Sequence, residues 1–116
     1  METALVYLWG SVRPGRETAA VPNYRATTEA LAQFKAEGRI RDFEWFFASQ
    51  TGPNFLIVRG EPEALMAFTS APETMAANMR AAVISEGFQW GLYATGDAVE
   101  AMMGLYGQTV EQLNAS

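Results

Sequence analysis

The stretch IRDFEWFFASQTGPNFLIV, residues 40–58, determines more of the fold than any other part of this chain. In Ile40 to Ser49, Phe43, Trp45 and Phe47 alternate with Asp42, Glu44 and Phe46, which predicts a β-strand with one buried face. Turn-forming residues follow at Gln50 to Asn54, and an apolar run from Phe55 to Val58 comes directly after them. The stretch therefore predicts an antiparallel β-hairpin.

One strand and one helix are predicted before the hairpin. Ala4 to Val12 is rich in β-branched and aromatic residues and ends at the turn Arg13-Pro14-Gly15. Apolar residues then recur at helical spacing, Pro22 suits a first helical turn, and Gly38 suits a C-terminal cap. The pattern predicts a helix from about Pro22 to Glu37.

Two helical segments and a strand are predicted after the hairpin, and a last helix follows them. Pro62 starts a short helix, and Ser70 to Glu73 has the spacing of a capping box that opens a second helical segment. Gly87 to Ala94 alternates as a strand, and Asp97 opens the last helix. The apolar stripe of that helix consists of Val99, Met102, Met103, Tyr106, Val110 and Leu113.

The order of elements is strand, helix, strand, strand, helix, strand, with one helix added at the end. Right-handed crossovers return both main helices to the same side of the sheet. The order predicts an α+β fold, a ferredoxin-like βαββαβ sandwich with an antiparallel sheet and an extra C-terminal helix. The length and the apolar content fit a single domain over residues 1–116.

The second face of this sheet is predicted to be apolar. If the alternating aromatic residues of the hairpin meet the helices, the side chains between them point away. The residues expected on the second face are Phe46, Ala48, Leu56 or its neighbours, and Tyr93. An apolar sheet face of that size normally becomes an interface. We therefore expect a homodimer with two sheets packed face to face, in which the C-terminal helix either clasps the partner or covers a sheet edge.

The pattern of elements resembles the dimeric α/β-barrel superfamily, in particular its antibiotic-biosynthesis-monooxygenase-like branch. It covers nearly the whole sequence, and Val12-Arg13-Pro14-Gly15-Arg16-Glu17 is similar to the turn that leaves the first strand in that family. The resemblance implies a homodimeric α/β barrel with a small-molecule cavity between the sheet and the helices. Members include cofactor-independent oxygenases, haem-degrading enzymes, cyclases, isomerases and proteins without assigned activity.

The chain departs from some branches of that superfamily because it has no histidine. Haem-binding and chlorite-cleaving members generally use a histidine on the iron, and the YCII-like branch carries a characteristic histidine and aspartate. Gly10 to Val21 is also longer than the usual first connection of the family. It is either a lid over the cavity or a surface loop.

The composition excludes several function classes. The chain has no cysteine, so disulfides and thiolate chemistry are excluded. Its net charge is −5 and its basic residues are scattered singly, so nucleic acid is not an expected partner. It has no long apolar run and no basic segment leading into an apolar one, so we expect no membrane partner and a cytoplasmic protein. It also has no phosphate-binding glycine loop, metal-ligand cluster or paired nucleophile and base, so no cofactor or metal is expected.

Trp9, Trp45 and Trp90 lie in three different predicted strands. They could form an aromatic wall that stacks on a flat ligand while an indole N–H donates to an oxyanion. The alternative is packing in the core and in the dimer interface. The three residues are therefore candidates for substrate binding.

Glu44 is the candidate catalytic base. It lies in mid-strand between two aromatic residues, where a carboxylate on an interior sheet face would be poorly solvated and suited to proton transfer. Alternatively, Glu44 and Asp42 lie at a solvated strand edge or pair with Arg41 or Arg59.

Tyr7, Tyr93 and Asn78 are the candidates that would polarise a substrate oxygen. Strands one and four are expected to be neighbours, and a pair of phenols would suit an enolate. Both tyrosines could instead be ordinary strand residues. The remaining candidates for substrate binding are Arg59, Met75 and Met79, for which a solvated face or a core position is the alternative.

Two function classes follow from these observations. The first is a small-molecule enzyme of the monooxygenase, cyclase or isomerase type, without metal, haem or flavin. It would act on an aromatic or enolisable substrate in a pocket between sheet and helices, with Glu44 taking a proton. The second is a non-catalytic homodimeric protein with a ligand-binding or structural role. An open pocket favours the first class, and a cavity filled by side chains favours the second.

Overall fold

A computed structural model describes residues 2–115 of the chain. Within this range, strands and helices follow one another in the predicted order. Their bounds are β1 Thr3–Trp9, α1 Glu17–Ala36, β2 Asp42–Phe46, β3 Asn54–Gly60, α2 Pro62–Ser70, α3 Pro72–Ile84, β4 Gln89–Ala94 and α4 Asp97–Ala115.

The four strands form one sheet in the order β2-β3-β1-β4, and every neighbouring pair is antiparallel. Tyr7 at the middle of β1 lies opposite Leu56 on β3 and Trp90 on β4. This strand order is the ferredoxin-like arrangement, so the predicted fold class is confirmed. Because register fixes which side chains share a face, it also fixes which predicted site residues can meet.

The hydrophobic core lies between the sheet and the helices α1, α2 and α3. Leu5 on β1, Val58 on β3 and Leu65 on α2 are fully buried there. Phe34 of α1 meets Phe68 of α2 edge-to-face, with ring centroids 4.9 Å apart. Each such side chain contributes roughly 1.5 to 3 kcal/mol through burial, and these residues therefore hold the helices on one side of the sheet.

The first strand ends earlier than predicted, at Trp9 rather than Val12. The following residues continue alongside the chain that precedes β4, with Val12 bridged to Ser85. The Gly10 N–H donates to the Glu86 carbonyl at 2.7 Å. The first part of the long connection is therefore attached to the body of the protein by backbone hydrogen bonds.

Helix α1 begins at Glu17, five residues before the predicted start at Pro22. The Glu17 carboxylate accepts a hydrogen bond from the Gly15 N–H at 3.2 Å, and an acidic residue suits the first turn of a helix. Pro22 lies inside the helix and cannot donate to the Thr18 carbonyl. That carbonyl belongs to an exposed residue of the first turn, where a lost backbone hydrogen bond costs less than in the interior, so the helix continues through the proline.

The capping box predicted from Ser70 to Glu73 is wrong. Ser70 is the last residue of α2, and its hydroxyl donates to the Met66 carbonyl. Ala71 occupies the N-cap of α3 without a side-chain hydrogen bond. Pro72 sets the start of α3 instead, because its fixed backbone angle suits a first helical turn.

The face of the sheet away from the core, called the open face here, is largely apolar, and no helix within residues 2–115 lies over it. Phe46 on β2 stacks on Phe55 on β3, with ring centroids 4.6 Å apart. The alternation of β3 places Ile57 beside them, whereas Leu56 points to the helices and is buried in the core. Further apolar members of the open face are Ala4, Val6 and Leu8 on β1 and Tyr93 on β4.

Helix α4 extends from the end of β4. It follows Thr95 and Gly96, and Ala98 in its first turn is buried. All later residues of the helix up to Ala115 are exposed. No helix within residues 2–115 is long and apolar enough to cross a membrane.

Candidate functional site

A cavity of about 320 Å³ lies between the sheet and the helices α1 and α3. Its sheet side is formed by Tyr7 and Trp9 of β1, Trp45 of β2 and Leu56 of β3. Its volume lies at the lower end of the range found for small-molecule sites.

Small side chains on the helices leave this space open. The second half of α1 fills the core with Leu31 and Phe34. Most of the side chains that the first half of α1 and the middle of α3 turn toward the cavity are smaller: Ala20, Asn23, Thr27, Ala77 and Ala81. Since packed interiors leave few voids larger than a water molecule, an opening of this size marks a place where something else can bind.

Four aromatic rings line one end of the cavity. Trp9 meets Trp45 edge-to-face at a centroid distance of 5.8 Å, and Trp45 stacks on Phe47 at 5.7 Å with the rings 9° from parallel. Tyr24 of α1 contacts Trp45 at 4.9 Å. Together the four rings form a wall on which a flat molecule can stack.

The Tyr7 hydroxyl is a buried polar group of the cavity. Tyr7 is only 5% exposed, and its hydroxyl makes no hydrogen bond to any residue in the range 2–115. Burial raises the pKa of Tyr7 to about 12, and the nearby Asn78 side chain opposes part of that rise. Asn78 therefore lies close to the phenol, but the pair falls short of hydrogen-bond geometry.

The indole N–H of Trp45 is a second buried donor without a partner among the described residues. Leaving a buried donor unsatisfied costs about 1 to 3 kcal/mol, so native proteins seldom do so without reason. Both donors belong to side chains that line the same cavity, so one group of acceptor atoms in that space could accept from both.

Asn54 lines the cavity and connects two chain segments beside it. Its Oδ1 accepts a hydrogen bond from the Ala48 N–H at 2.8 Å, and its Nδ2 donates to the Gly10 carbonyl at 3.2 Å. These bonds tie the segment after β2 to the segment after β1. Asn54 thereby helps to hold Trp9 and Phe47, which lie next to those segments, in place.

The lining of the cavity carries no Asp, Glu, Lys or Arg. Its polar groups are hydroxyl, amide and indole groups, and the pKa of Tyr7, which burial raises to about 12, lies far above neutral pH. The cavity therefore offers hydrogen bonds without a formal charge, which suits an uncharged ligand or a weak oxyanion.

Glu44 and Arg59 lie on the other side of the sheet from the cavity. The Glu44 carboxylate pairs with the Arg59 guanidinium at 3.4 Å, and Asp42 pairs with the same group at 3.5 Å. Alternation explains this placement, since Phe43 and Trp45 face the helices and the residue between them faces away. Of the two interpretations from the sequence, the pairing with Arg59 describes the structure, and neither Glu44 nor Arg59 lines the cavity.

Tyr93 and the two methionines also lie away from the cavity. β4 is indeed paired with β1, but Tyr93 is opposite Ala4 on the open face, so it cannot act together with Tyr7. Met75 and Met79 are 51% and 70% exposed on the outer side of α3. Trp90 does face the helix side and its ring lies 6.1 Å from that of Tyr7, but it does not reach the cavity lining.

The structure brings together four of the predicted residues, Tyr7, Asn78, Trp9 and Trp45. Sequence reasoning missed other residues of the lining: Tyr24, Phe47, Asn54 and Phe88. Phe47 carried a signal, because it continues the alternation of Trp45. Tyr24 is one of the residues whose helical spacing predicts the first helix, and nothing in the sequence shows that this part of the helix faces a space.

Comparisons with known proteins support the fold. The chain is similar to the solved structure of Rv0793 from Mycobacterium tuberculosis, with a TM-score of 0.62 and 18% identity over 83% of this chain and 96% of that one. It is also similar to a dimeric protein of unknown function and ferredoxin-like fold from Bacteroides fragilis NCTC 9343, with a TM-score of 0.55 and 16% identity over 80% of this chain and 96% of that one. No protein-family model and no curated protein sequence matches. At these identities the likeness establishes a ferredoxin-like fold and leaves the activity to be argued from the cavity.

Proposed function

We propose that the cavity binds a flat aromatic molecule carrying a carbonyl or phenol oxygen. The observation that carries this proposal is the pair of unpartnered buried donors, the Tyr7 hydroxyl and the Trp45 indole, on the lining of one cavity. The aromatic wall around Trp45 would stack on the rings of the ligand, and the donors would bind its oxygen. The absence of charged groups from the lining favours an uncharged ligand.

The test measures binding of 1,4-naphthoquinone against naphthalene, which has the same two rings and no oxygen. Quenching of tryptophan fluorescence reports occupancy, and the chain has no cysteine with which the quinone could react. Tyr7→Phe should weaken quinone binding about fivefold, the worth of roughly one hydrogen bond, and leave naphthalene binding unchanged. Tyr93→Phe on the open face is the matched control and should change neither affinity.

The proposal fails if Tyr7→Phe leaves the affinity for the quinone at the wild-type level. It also fails if both ligands lose affinity equally, because that result would reflect altered packing. Trp45→Phe removes the other unpartnered donor and also part of the stacking wall, so it should lower the affinity for the quinone more than the affinity for naphthalene.

Catalysis at this site is the second candidate, favoured by the same donors, because preorganised donors stabilise an oxyanion that develops during a reaction. The described lining contains no carboxylate that could act as a base. The substrate would therefore have to ionise readily, as a hydroxylated polycyclic compound or a quinol does. Its carbanion carbon would bond to one atom of dioxygen. The O–O bond would then break, converting a methylene group to a ketone and releasing water, without metal, haem or flavin.

Oxygen consumption with anthrone, a tricyclic ketone with an acidic methylene group, tests this candidate. Chelator-treated protein should produce anthraquinone and water, Tyr7→Phe should lower the rate, and Glu44→Gln should not. If protein adds nothing to the spontaneous rate, the catalytic candidate is abandoned and binding of the aromatic ligand stands on its own test.

We further propose that the chain forms a homodimer through the open face. Phe46, Phe55 and Ile57 are only partly covered there, and such a row of apolar side chains is usually buried in an assembly. The Bacteroides fragilis protein of similar fold is described as dimeric. Ile57→Lys should reduce the mass measured by light scattering, whereas Gln89→Lys at the margin of the same face should not.

A further inference from the structure

Helix α4 has one apolar side on which five side chains are largely exposed. Its side chains there are between 37% and 67% exposed: Val99, Met102, Met103, Tyr106 and Val110. At 100° per residue these five positions fall within one stripe about 100° wide, while Gln108 falls on the opposite side. A helix of this pattern is stable when its stripe is buried, so α4 is built to pack on another surface.

A second uncovered apolar surface lies on β4 of the same chain. Trp90 and Leu92 point to the helix side of the sheet, since they pair with the inward-facing Tyr7 and Leu5. They are nevertheless 46% and 44% exposed, because no helix of their own chain lies over them. β4 is also an edge strand, so the approach to this surface is free on one side.

We propose that α4 of one copy packs its stripe on the Trp90–Leu92 surface of a second copy, and that the second copy does the same in return. Its own α4 does not cover that surface, because α4 leaves β4 in another direction. Gly96 sets that direction with a positive φ of 56°, and the Thr95 N–H is held by the Glu2 carbonyl at 3.1 Å. A two-fold symmetric dimer makes this contact twice and so buries both surfaces of both copies.

The area involved fits a stable dimer. The stripe and the Trp90–Leu92 surface supply seven half-exposed apolar side chains per copy, and each would bury on the order of 100 Å². Two reciprocal contacts come to roughly 1,400 Å², which is within the range of specific interfaces. Trp90 also touches Tyr7, so the exchanged helix would exclude water from the side of the sheet next to the cavity.

Photo-crosslinking in the full chain tests the proposal directly. A benzophenone side chain is placed at Met103 in the stripe or, as the matched control, at Gln108 on the opposite side of α4. The stripe position should give a crosslinked band at twice the mass of the chain, with the attachment mapped to residues 88–94. The control position should give little of that band. Crosslinks formed only within one chain, or mapped elsewhere on the partner, would overturn the inference.

Charge substitution distinguishes this contact from the open-face contact. The double variant Met103→Glu/Tyr106→Glu should raise the dimer dissociation constant at least tenfold, while circular dichroism shows the fold intact. With the benzophenone placed at Val99 instead, this variant should give no crosslinked dimer. Gln108→Glu is the control on the opposite side of α4. Ile57→Lys addresses the open face alone, so an assembly that keeps both its mass and the α4 crosslink after this substitution would refute only the face-to-face arrangement. Unchanged dimerisation of the doubly substituted stripe would refute the helix exchange.

Discussion

Removing the Tyr7 hydroxyl should stabilise the unliganded protein, although most substitutions of buried residues destabilise. The hydroxyl is buried and lacks a hydrogen-bond partner among residues 2–115. In the unfolded chain it is hydrated, so folding loses those hydrogen bonds and gains none. Phenylalanine keeps the ring and its packing against Phe88, whose ring centroid lies 5.9 Å away, and removes only the unsatisfied group.

The size of the effect follows from the cost of an unsatisfied buried donor. That cost is about 1 to 3 kcal/mol, and we take the lower end because Tyr7 borders a cavity rather than solid core. Tyr7→Phe should therefore raise the free energy of unfolding by about 1 kcal/mol. For a chain of 116 residues this corresponds to a rise in Tm of roughly 4 °C.

Urea denaturation at pH 7 and one fixed protomer concentration measures this difference, since assembly makes stability depend on concentration. Tyr93→Phe, on the exposed open face, is the control and should change the free energy of unfolding by less than about 0.5 kcal/mol. A loss of stability on Tyr7→Phe would show that the hydroxyl has a good partner in the unliganded protein. The reasoning that assigns it to a ligand would then be refuted.

Three further outcomes are expected. The pKa of Tyr7 is about 12 in the folded protein and 10.0 in an unfolded chain, so the unfolded state loses its proton first as the pH rises. The free energy of unfolding should therefore fall by roughly 2 to 3 kcal/mol between about pH 10 and pH 12. The free energy of unfolding of Tyr7→Phe, measured over the same pH range, should not show this fall. A pH profile identical to that of the wild type would contradict the expectation. Asn54→Ala should cost about 1 to 2 kcal/mol in urea denaturation because two hydrogen bonds are lost, and it should weaken quinone binding, whereas Asn114→Ala on α4 should do neither. Glu44→Gln breaks only an exposed ion pair, so thermal denaturation should show a change below about 1 kcal/mol, and a larger loss would mean that the pair with Arg59 is better shielded than its exposure indicates.

The fold could be predicted from the sequence because its signals are local. The alternation of the hairpin and the helical spacing before and after it give the order of elements, and that order restricts the topology. The start of α1 was missed because proline usually marks a helix start, whereas Pro22 is tolerated one turn inside it. Such boundary errors leave the topology unchanged.

The site was only partly predictable. Period-two alternation applied strictly to β2 assigns Trp45 and Glu44 to opposite faces, so the two could not serve one pocket. Whether a face meets a cavity or a packed core depends on side-chain size across the gap, and the small residues of α1 face the aromatic wall only once the helix is docked. Tyr93 failed as a partner of Tyr7 for a related reason, because pairing of strands does not by itself place two residues on one face.

The backbone attachment of Gly10 to Val12 bears on how fast a ligand could exchange. With those residues bonded to the chain before β4, that side of the cavity does not open without breaking main-chain hydrogen bonds. Passage should instead follow rotation of the partly exposed Tyr24 and Phe47 side chains, which occurs in picoseconds to nanoseconds. Stopped-flow traces should then show an observed rate constant that rises linearly with ligand concentration and reaches no plateau.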